Sequence, residues 1–283
     1  MLGATGVAVR AYPPCMLIAT DLDGTLVPNG ADQVSARTAA TLARADEAGV
    51  PVVFVTARPL RWMERLWPHV GRHGRAIVSN GAVVYDVPTR SAVRVTGLEP
   101  EIGLAIAETI RTELPGASFA IECLDGIRVE DAYDSPHDLL DHTPRGRLEQ
   151  VWDTTAVKML VRHTGPPTAS PEDVHRRIAA VVRTTATCTW SMPGLLEIAA
   201  PGVTKASALR WLTEQLGIDQ RDVVAFGDMP NDIPMLKWAG LSYAVEEAHP
   251  DVIAAADRRA PRCSDAVATT IDTLLTGSNH GEL

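Results

Sequence analysis

Two acidic side chains, separated by one residue, follow a short apolar run near the start of the chain. The run Leu17-Ile18-Ala19-Thr20 leads directly into Asp21 and Asp23. If the extended backbone continues through them, both carboxylates project to the same side of the chain. Two negative charges held this close require a cation, and Mg²⁺ is usually held by one or two carboxylates together with phosphate and water. The spacing therefore indicates metal-assisted chemistry on a phosphate group.

The two carboxylates suit different steps of such a reaction. Asp21 in its ionised form can attack phosphorus directly and form an aspartyl phosphate, without a base to activate it. The alcohol that leaves needs a proton, and Asp23 is placed to supply it and later to activate water. For either residue taken alone, an aspartate that merely starts a turn is the commoner explanation.

Two further apolar runs also end in polar groups. Val52-Val53-Phe54-Val55 is followed by Thr56, and Val223-Val224-Ala225-Phe226-Gly227 is followed by Asp228. Ligands of doubly wound sheets bind beyond the carboxyl ends of the strands, so we expect Thr56 and Asp228 to meet Asp21 there. Asp228 would then bind the metal, and Thr56 would donate its hydroxyl to a phosphoryl oxygen. An ordinary threonine at a strand end is the alternative for Thr56.

Lys205 stands in the first turn of a predicted helix, where the helix dipole disfavours a positive charge. Such a conflict favours a functional role, in which the ammonium group binds phosphate and keeps Asp21 ionised. A solvated surface lysine is the alternative. Asn231 and Asp232 come just before another predicted helix. We expect Asp232 to support the water shell of the metal, whereas Asn231 suits both that task and the capping of the helix.

These residues must be positioned by the elements around them, and both ends of the chain show the α/β alternation of a parallel sheet. Strands are predicted over residues 16–20, 51–56, 76–79, 82–87, 223–226 and 242–245. Helices are predicted over residues 35–48, 60–67, 205–216 and 232–238, followed by two closing helices. The turn Asn80-Gly81 predicts that 76–79 and 82–87 pair as a hairpin.

The middle of the chain shows a different order of predicted strands and helices. Strands are predicted there over 92–95, 119–123, 127–129, 157–162 and 188–191, helices over 101–114 and 172–182, and a long loop over 131–147. This pattern is typical of an α+β unit. We therefore expect a Rossmann-like, doubly wound α/β core over residues 1–88 and 200–283, interrupted by an inserted α+β domain over residues 89–199.

Composition narrows the class of protein and its partners. With 46% hydrophobic and 22% charged residues, the 283-residue chain has the profile of a soluble globular protein. Its net charge of −9 would repel a polyphosphate backbone, so nucleic acid is not an expected partner. The sequence contains no apolar run near the ~20 residues that span a bilayer, and its start lacks the pattern of a signal peptide. We expect a cytoplasmic protein without a membrane partner.

Several other kinds of active site lack their sequence patterns. The four cysteines form no Cys-x-x-Cys pair, which favours reduced thiols over a zinc site or disulfides. The eight histidines include no His-Glu-x-x-His pair. Gly-x-Ser-x-Gly, Walker and Gly-x-Gly-x-x-Gly runs are also absent from the sequence, which removes the main support for lipase-like, P-loop and dinucleotide-binding functions.

Taken together, the motifs resemble those of the haloacid dehalogenase superfamily, and within it the Cof-type, sugar-phosphatase-like group. The four motifs of the superfamily are matched in order by Asp21-Leu22-Asp23-Gly24-Thr25, Val55-Thr56-Ala57-Arg58-Pro59, Gly202-Val203-Thr204-Lys205, and Gly227-Asp228 with Asn231-Asp232. The match covers most of the chain, and the correct order of four motifs is far more specific than any one of them.

The resemblance implies a role for each of these residues. Asp21 would be the nucleophile, and Asp23 the general acid and base. Thr56 and Lys205 would bind the phosphate. Mg²⁺ would be bound by Asp21, Asp228 and the backbone carbonyl of Asp23.

The resemblance also implies that the insert is a cap domain, which closes over the site, excludes water and selects the leaving group. Arg58 and Asn80 would contact the substrate, although a surface salt bridge and a hairpin turn are their ordinary alternatives. Glu197 also matches the group, but no role follows from the match. The acid-rich residues 122–138 are predicted to contain the selecting loop.

Two segments depart from the pattern of the Cof-type group. Residues 244–248 read Ala-Val-Glu-Glu-Ala where the group shows Met-x-Asn-Ala, and residues 262–266 read Arg-Cys-Ser-Asp-Ala where it shows Asn-x-x-Asp-Gly. The catalytic set is intact, but substrate contacts do not carry over from relatives.

The expected reaction is the hydrolysis of a small phosphorylated metabolite, with sugar phosphates as the first class to consider. The superfamily also holds dehalogenases, which lack an acid at the second position of the first motif, and P-type ATPases, which carry threonine there. Aspartate at both positions 21 and 23 therefore favours phosphomonoester transfer. A sugar phosphomutase on the same fold and a non-catalytic binding protein stay open as alternatives.

Overall fold

The computed structural model describes residues 16–135, 139–163, 170–192 and 194–277. In chain order the strands are β1 (Leu17–Thr20), β2 (Val52–Val55), β3 (Arg75–Val78), β4 (Val83–Asp86), β5 (Ser91–Val95), β6 (Ala117–Cys123), β7 (Gly126–Glu130), β8 (Arg145–Gly146), β9 (Lys158–His163), β10 (Thr187–Met192), β11 (Leu195–Ala199), β12 (Val223–Gly227), β13 (Leu241–Ala244) and β14 (Arg258–Arg259). They form a larger sheet in the order β14-β13-β12-β1-β2-β3-β4-β5 and a smaller sheet in the order β10-β11-β9-β6-β7-β8.

The larger sheet is parallel from β14 to β3, and β4 and β5 extend it as antiparallel strands. The predicted hairpin is thus the pair of β3 and β4. Every residue of the central strands β1, β2 and β12 is buried. Burial on both faces explains why these strands read as continuous apolar runs in the sequence. The predicted α/β fold with a doubly wound parallel core is confirmed.

The helices, in chain order, are α1 (Ala36–Glu47), α2 (Pro100–Glu113), α3 (Leu148–Val151), α4 (Pro171–Val182), α5 (Lys205–Leu216), α6 (Ile233–Trp238), α7 (Pro250–Ala255) and α8 (Ala266–Gly277). Helix α1 packs against α8, and α5 packs against α6. Within the described ranges, no helix combines the length and the apolar character needed to cross a membrane.

Helix α5 is fixed at both ends by local chemistry. The hydroxyl of Thr204 accepts a hydrogen bond from the backbone N–H of Ser207, and the hydroxyl of Ser207 accepts one from the backbone N–H of Thr204. Gly217 ends the helix in the left-handed conformation, with φ of 66°. Both features are common helix boundaries, and together they set where the first residue of the helix, Lys205, points.

The smaller sheet is antiparallel apart from the short β7–β8 pair. On β6 the residues Phe119 and Ile121 join the main hydrophobic core, to which α2 and α4 also contribute. The alternate residues Ala120 and Glu122 lie on the opposite face, because side chains alternate along a strand. That opposite face is turned toward the carboxyl ends of the larger sheet, as a hydrogen bond from Lys158 to the Ala57 carbonyl shows.

One strand belongs to a different sheet than the sequence analysis assumed. The segment around 92–95 was assigned to the insert of residues 89–199, but β5 pairs with β4 at the edge of the larger sheet. Its exposure alternates along the strand, a pattern that fits the edge of either sheet. The proposed domain limits themselves stay a prediction, and residues 1–15 and 278–283 of the predicted core lie outside the described ranges.

The predicted helix over residues 60–67 is wrong. Two separate 3₁₀ turns, Leu60–Trp62 and Trp67–His69, occupy this region. Pro68 has no N–H to donate and disfavours a helical conformation in the residue before it, so a continuous helix cannot pass through this point.

The predicted loop over residues 131–147 contains the short strand β8, which pairs with β7. The predicted selecting segment 122–138 begins within β6 and includes β7, so it is not a single loop. Residues 136–138 of that segment lie outside the described ranges.

Candidate active site

Three polar residues predicted to converge do follow neighbouring parallel strands. Asp21 follows β1, which pairs in parallel with β2 and β12, and these strands lead into Thr56 and Asp228. The backbone N–H of Asp21 donates to the carbonyl of Phe226, 3.0 Å away, which ties the ends of β1 and β12 together. The carboxyl ends of these strands therefore bring the three residues to one edge of the sheet, where ligands of this type of fold bind.

Lys205 lies between two carboxylates at this edge. Its ammonium Nζ is 2.6 Å from Asp21 Oδ1 and 2.7 Å from Asp232 Oδ1. All three side chains are buried. Although burial disfavours its charge, Asp21 and Asp232 raise the pKa of Lys205. Lys205 is therefore a fixed cation, not a solvated surface lysine.

Asp232 uses both of its carboxylate oxygens within the protein. While Oδ1 accepts from Lys205, Oδ2 accepts from the backbone N–H groups of Asp228 and Met229, each 3.1 Å away. A side chain at Gly227 would place its Cβ 2.5 Å from Asp232 Cβ, so glycine is needed for this approach. Asp232 thus holds the loop after β12 and orients Lys205.

Asp228 is held by the first motif. The hydroxyl of Thr25 donates to Asp228 Oδ1 at 2.9 Å. Gly24 has a positive φ of 78°, and a Cβ on it would lie 2.3 Å from Asp228 Oδ2. The glycine of the first motif is therefore required both by its backbone conformation and by the close approach of this carboxylate.

The buried carboxylates form a group that suits a divalent cation. Oxygen atoms of Asp21, Asp228 and Asp232 all lie within 4.8 Å of one another. Burial raises the pKa of Asp21 well above its usual range, against the lowering effect of Lys205, and burial raises the pKa of Asp228 to about 6. One lysine does not balance three carboxylates, and an oxygen-seeking divalent cation would complete the balance. Because both oxygens of Asp232 already accept hydrogen bonds within the protein, Asp21 and Asp228 are the better ligands.

Asp23 and Arg58 form a two-point ion pair at the mouth of the site. Arg58 Nε lies 2.9 Å from Asp23 Oδ2, and Nη2 lies 2.5 Å from Asp23 Oδ1. Nη2 also donates to the carbonyl of Ala31 at 3.0 Å. The side chain of Asp23 is 46% exposed, whereas that of Arg58 is 9% exposed. Arg58 thus contacts the predicted acid–base residue, and its predicted contact with substrate stays a prediction.

Thr56 and Asn80 lie behind the mouth of the site. The Thr56 hydroxyl accepts from the backbone N–H of Arg58 at 3.0 Å and keeps its own hydrogen for another acceptor. The Asn80 amide donates to Glu197 Oε2, and its oxygen accepts from Asn231 Nδ2, each at 3.0 Å. Both halves of the Asn80 amide are thus used within the protein.

A cavity of about 700 Å³ lies between the two sheets. Four of the predicted site residues line this cavity: Asp21, Asp23, Arg58 and Asn231. The other five are not among the lining residues: Thr56, Asn80, Lys205, Asp228 and Asp232. The cavity gives Asp21 access to a small molecule. An oxygen of Asn231, Oδ1, is buried without a hydrogen-bond partner among the described residues.

Several residues of the cavity have no role that the sequence motifs predict. Lys158 of β9 donates to Glu197 of β11 at 2.5 Å and to the Ala57 carbonyl of the larger sheet at 2.8 Å. Arg61 donates from Nε and Nη2 to the two oxygens of Glu122, at 2.7 and 3.2 Å. In the sequence, Glu122, Lys158 and Glu197 are marked only as charges inside largely apolar strands, and Glu197 also by its match to the Cof-type group.

Comparisons with known proteins agree with this geometry. A family model for haloacid dehalogenase-like hydrolases matches residues 18–271. A 5-amino-6-(5-phospho-D-ribitylamino)uracil phosphatase of Bacillus subtilis is 27% identical over 244 residues, which cover 85% of this chain and 88% of that protein. A phosphoglycolate phosphatase of Methanothermobacter thermautotrophicus is 25% identical over 240 residues, which cover 85% of this chain and 89% of that protein.

Solved structures show the same fold. A phosphatase of the haloalkanoate enzyme superfamily from Bacteroides thetaiotaomicron superposes with a TM-score of 0.77 at 19% identity, and the match covers 97% of this chain and 100% of that one. The family model spans both sheets, from β1 into α8. The resemblance drawn from the four motifs is therefore confirmed, and the chain belongs to the haloacid dehalogenase-like hydrolases.

Proposed function

We propose that the chain is a Mg²⁺-dependent phosphomonoesterase that hydrolyses a small phosphorylated metabolite through an aspartyl phosphate on Asp21. The observation that carries the proposal is the position of Asp21, which lines the cavity while its carboxylate is held by Lys205 at 2.6 Å and lies beside Asp228. The relatives named above are phosphatases of small phosphate esters.

In the first step, a carboxylate oxygen of Asp21 attacks phosphorus, and the bond from phosphorus to the ester oxygen breaks. Lys205 favours the ionised form of Asp21 against the effect of burial and, together with the Thr56 hydroxyl, offers hydrogen-bond donors to the phosphoryl oxygens. A Mg²⁺ ion held by Asp21, Asp228 and the carbonyl of Asp23 would supply positive charge to offset that of the phosphoryl group.

Asp23 transfers the proton in both steps, as an acid in the first and as a base in the second. It gives a proton to the departing alcohol, and then accepts one from the water that attacks the aspartyl phosphate, which releases phosphate and restores Asp21. Arg58 acts as a positioning residue, because its two-point contact fixes the direction of the Asp23 carboxylate. Asn231 and Asp232 would support the water shell of the metal.

The proposal is tested by measuring phosphate release from a panel of sugar phosphates and other phosphorylated metabolites, with Mg²⁺ and after chelation. We expect release with Mg²⁺, its loss on chelation, and a loss of at least about a thousandfold in kcat for Asp21→Asn, since a nucleophile that acts covalently is replaced by an unreactive amide. The control Asp251→Asn removes an exposed carboxylate that does not line the cavity, and this variant should keep its activity.

Full activity of Asp21→Asn would sink the covalent mechanism. Isomerisation of a sugar phosphate without release of phosphate would show a phosphomutase instead. Binding of phosphate esters with no turnover by the unaltered chain would favour a non-catalytic binding protein.

A further inference from the structure

The wall of the cavity opposite Asp21 is one face of the smaller sheet. Glu122 of β6, Lys158 and Leu160 of β9, and Leu195 and Glu197 of β11 all line the cavity. Side chains alternate along each strand, so the residues between them point the other way, into the main core. These five side chains therefore face whatever is attached to a phosphate group placed at Asp21.

Much of this wall is apolar. A separate hydrophobic cluster lies on this face of the sheet, formed by Ala120, Val129, Tyr133, Leu160 and Leu195 with Ile127 and Leu139 packed against it. Five of its members, Ile127, Tyr133, Leu139, Leu160 and Leu195, line the cavity. A leaving group that reaches this wall would gain contact with carbon atoms and bury apolar surface.

Every cation among the described lining residues already has a carboxylate partner that also lines the cavity. The pairs are Arg58 with Asp23, Arg61 with Glu122, Arg65 with Asp32, and Lys158 with Glu197. A carboxylate or a second phosphate on the leaving group would have to displace one of these partners. An anion that enters such a site loses its water without gaining a cation, which disfavours it.

Glu122 and Arg61 are the pair best placed to decide this selection. The Glu122 side chain is 1% exposed, and the guanidinium of Arg61 contacts both of its oxygens. Arg61 belongs to the turn that follows the second motif, whereas Glu122 belongs to the smaller sheet. Without Glu122, Arg61 would present an uncompensated cation to the cavity, and a two-point donor of this kind suits carboxylates and phosphates.

We propose that the site selects phosphate esters of uncharged, partly apolar alcohols, and that Glu122 enforces this selection by neutralising Arg61. The inference rests on the proposed phosphatase function and adds the class of leaving group to it. Glu122 is a specificity-determining residue, separate from the groups that act on phosphorus.

The test compares two esters that differ in one charge, 3-(4-carbamoylphenyl)propyl phosphate and 3-(4-carboxyphenyl)propyl phosphate. The two alcohols are equally good leaving groups, because the group in which they differ is remote from the phosphate ester. We expect the unaltered chain to prefer the carbamoyl ester by about tenfold or more in kcat/KM. The carboxylate of the other ester leaves water without finding a cation, and the loss corresponds to about one charge-assisted hydrogen bond.

Substitutions on the two sides of the pair should move this preference in opposite directions. Glu122→Gln frees Arg61 and should lower the preference at least about fivefold, mainly by lowering the KM of the carboxyl ester. Arg61→Gln leaves the negative charge of Glu122 facing the cavity and should raise the preference for the carbamoyl ester. The matched control is Glu130→Gln, which breaks another arginine–glutamate pair of the insert, with Arg111, outside the residues that line the cavity. It should leave the preference unchanged.

A preference near one in the unaltered chain, or one that favours the carboxyl ester, would overturn the inference. Equal preferences in Glu122→Gln, Arg61→Gln and the unaltered chain would also overturn the inference. If Glu122→Gln does not fold, the comparison of Arg61→Gln with the unaltered chain still tests it. Hydrolysis of p-nitrophenyl phosphate but of neither propyl ester would overturn the inference while the proposed function stands. No release of phosphate from any ester would overturn both.

Discussion

At the scale of single residues, three buried carboxylates that lie within 4.8 Å of one another have different surroundings. Asp21 lines the cavity, Asp228 accepts a hydrogen bond from Thr25, and both oxygens of Asp232 accept hydrogen bonds from within the protein. Their closeness alone would suggest three equal metal ligands. The hydrogen bonds instead assign Asp232 to the support of Lys205 and of the loop after β12.

We expect Asp232→Asn to lower the free energy of unfolding by about 2–3 kcal/mol. Breaking a buried ion pair costs about 3–5 kcal/mol, but Lys205 keeps its contact with Asp21, so the loss should be smaller. Urea denaturation measures the change. Asp251→Asn, at a side chain that is 75% exposed, is the matched control and should shift stability by less than about 0.5 kcal/mol. Equal losses in the two variants would contradict the role given to Asp232.

At the scale of elements, the hairpin turn between β3 and β4 sets the position of helix α5. Ser79, Asn80 and Gly81 all have positive φ, of 50°, 56° and 99°. A Cβ on Gly81 would lie 2.2 Å from the backbone oxygen of Thr204, the residue before Lys205. The turn therefore lies directly against the start of the helix that carries the site lysine.

Gly81→Ala should consequently disturb both stability and activity. The clash is with backbone, which cannot rotate away, so we expect about 2 kcal/mol more destabilisation than in Gly49→Ala, since overpacking costs about 1–3 kcal/mol. Gly49 also has a positive φ, of 77°, but a Cβ there meets nothing within 4 Å. Activity should fall about a hundredfold in Gly81→Ala alone, because a shift of about 1 Å in a positioning group has that effect. Urea denaturation and kcat/KM provide the comparison.

The elements of the larger sheet could be predicted from the sequence because their signals are local. Buried parallel strands such as β1 and β12 read as apolar runs, and the polar residue that follows each run marks the edge where ligands bind. The four motifs place Asp21, Lys205 and Asp228 at that edge. The roles of these residues stay predictions until activity is measured.

The remaining features could not be predicted because they depend on contacts between distant segments. The alternating exposure of β5 fits an edge strand of either sheet. A single charge such as Lys158 in an apolar strand does not reveal that its partner is Glu197 on β11 or that its face meets the larger sheet. For the segment 60–67, the apolar residues suggested a helix, but Pro68 disfavours a helical conformation at Trp67 and two separate turns form.

At the scale of the whole molecule, a buried polar chain joins the two sheets. Lys158 connects the smaller sheet to the Ala57 carbonyl, and Glu197 connects it to Asn80, which in turn contacts Asn231 at the cavity. Burial opposes ionisation of Glu197, but the charge of Lys158 outweighs it and lowers the pKa of Glu197. The chain of contacts fixes the wall of the cavity relative to Asp21.

We expect Lys158→Met to destabilise the protein by about 3 kcal/mol, because it leaves Glu197 buried without its cation. Lys158→Met combined with Glu197→Gln should be more stable than the sum of the single changes by about 2 kcal/mol, as expected for residues in direct contact. Urea denaturation of the four proteins gives this coupling. The exposed pair Arg176 and Asp173 is the control and should show no measurable coupling. Additive effects at Lys158 and Glu197 would contradict the role of the pair.

The pairing of Arg61 with Glu122 has a consequence for the evolution of this protein. The contacts that hold Asp21, Lys205 and Asp232 join the larger sheet, helix α5 and the turn after β12, whereas Glu122 belongs to the smaller sheet. A single substitution at position 122 would change which esters are accepted and leave the groups that act on phosphorus in place. Under the proposed selection, new substrates could therefore be acquired by point mutation at this position while the groups that act on phosphorus are retained.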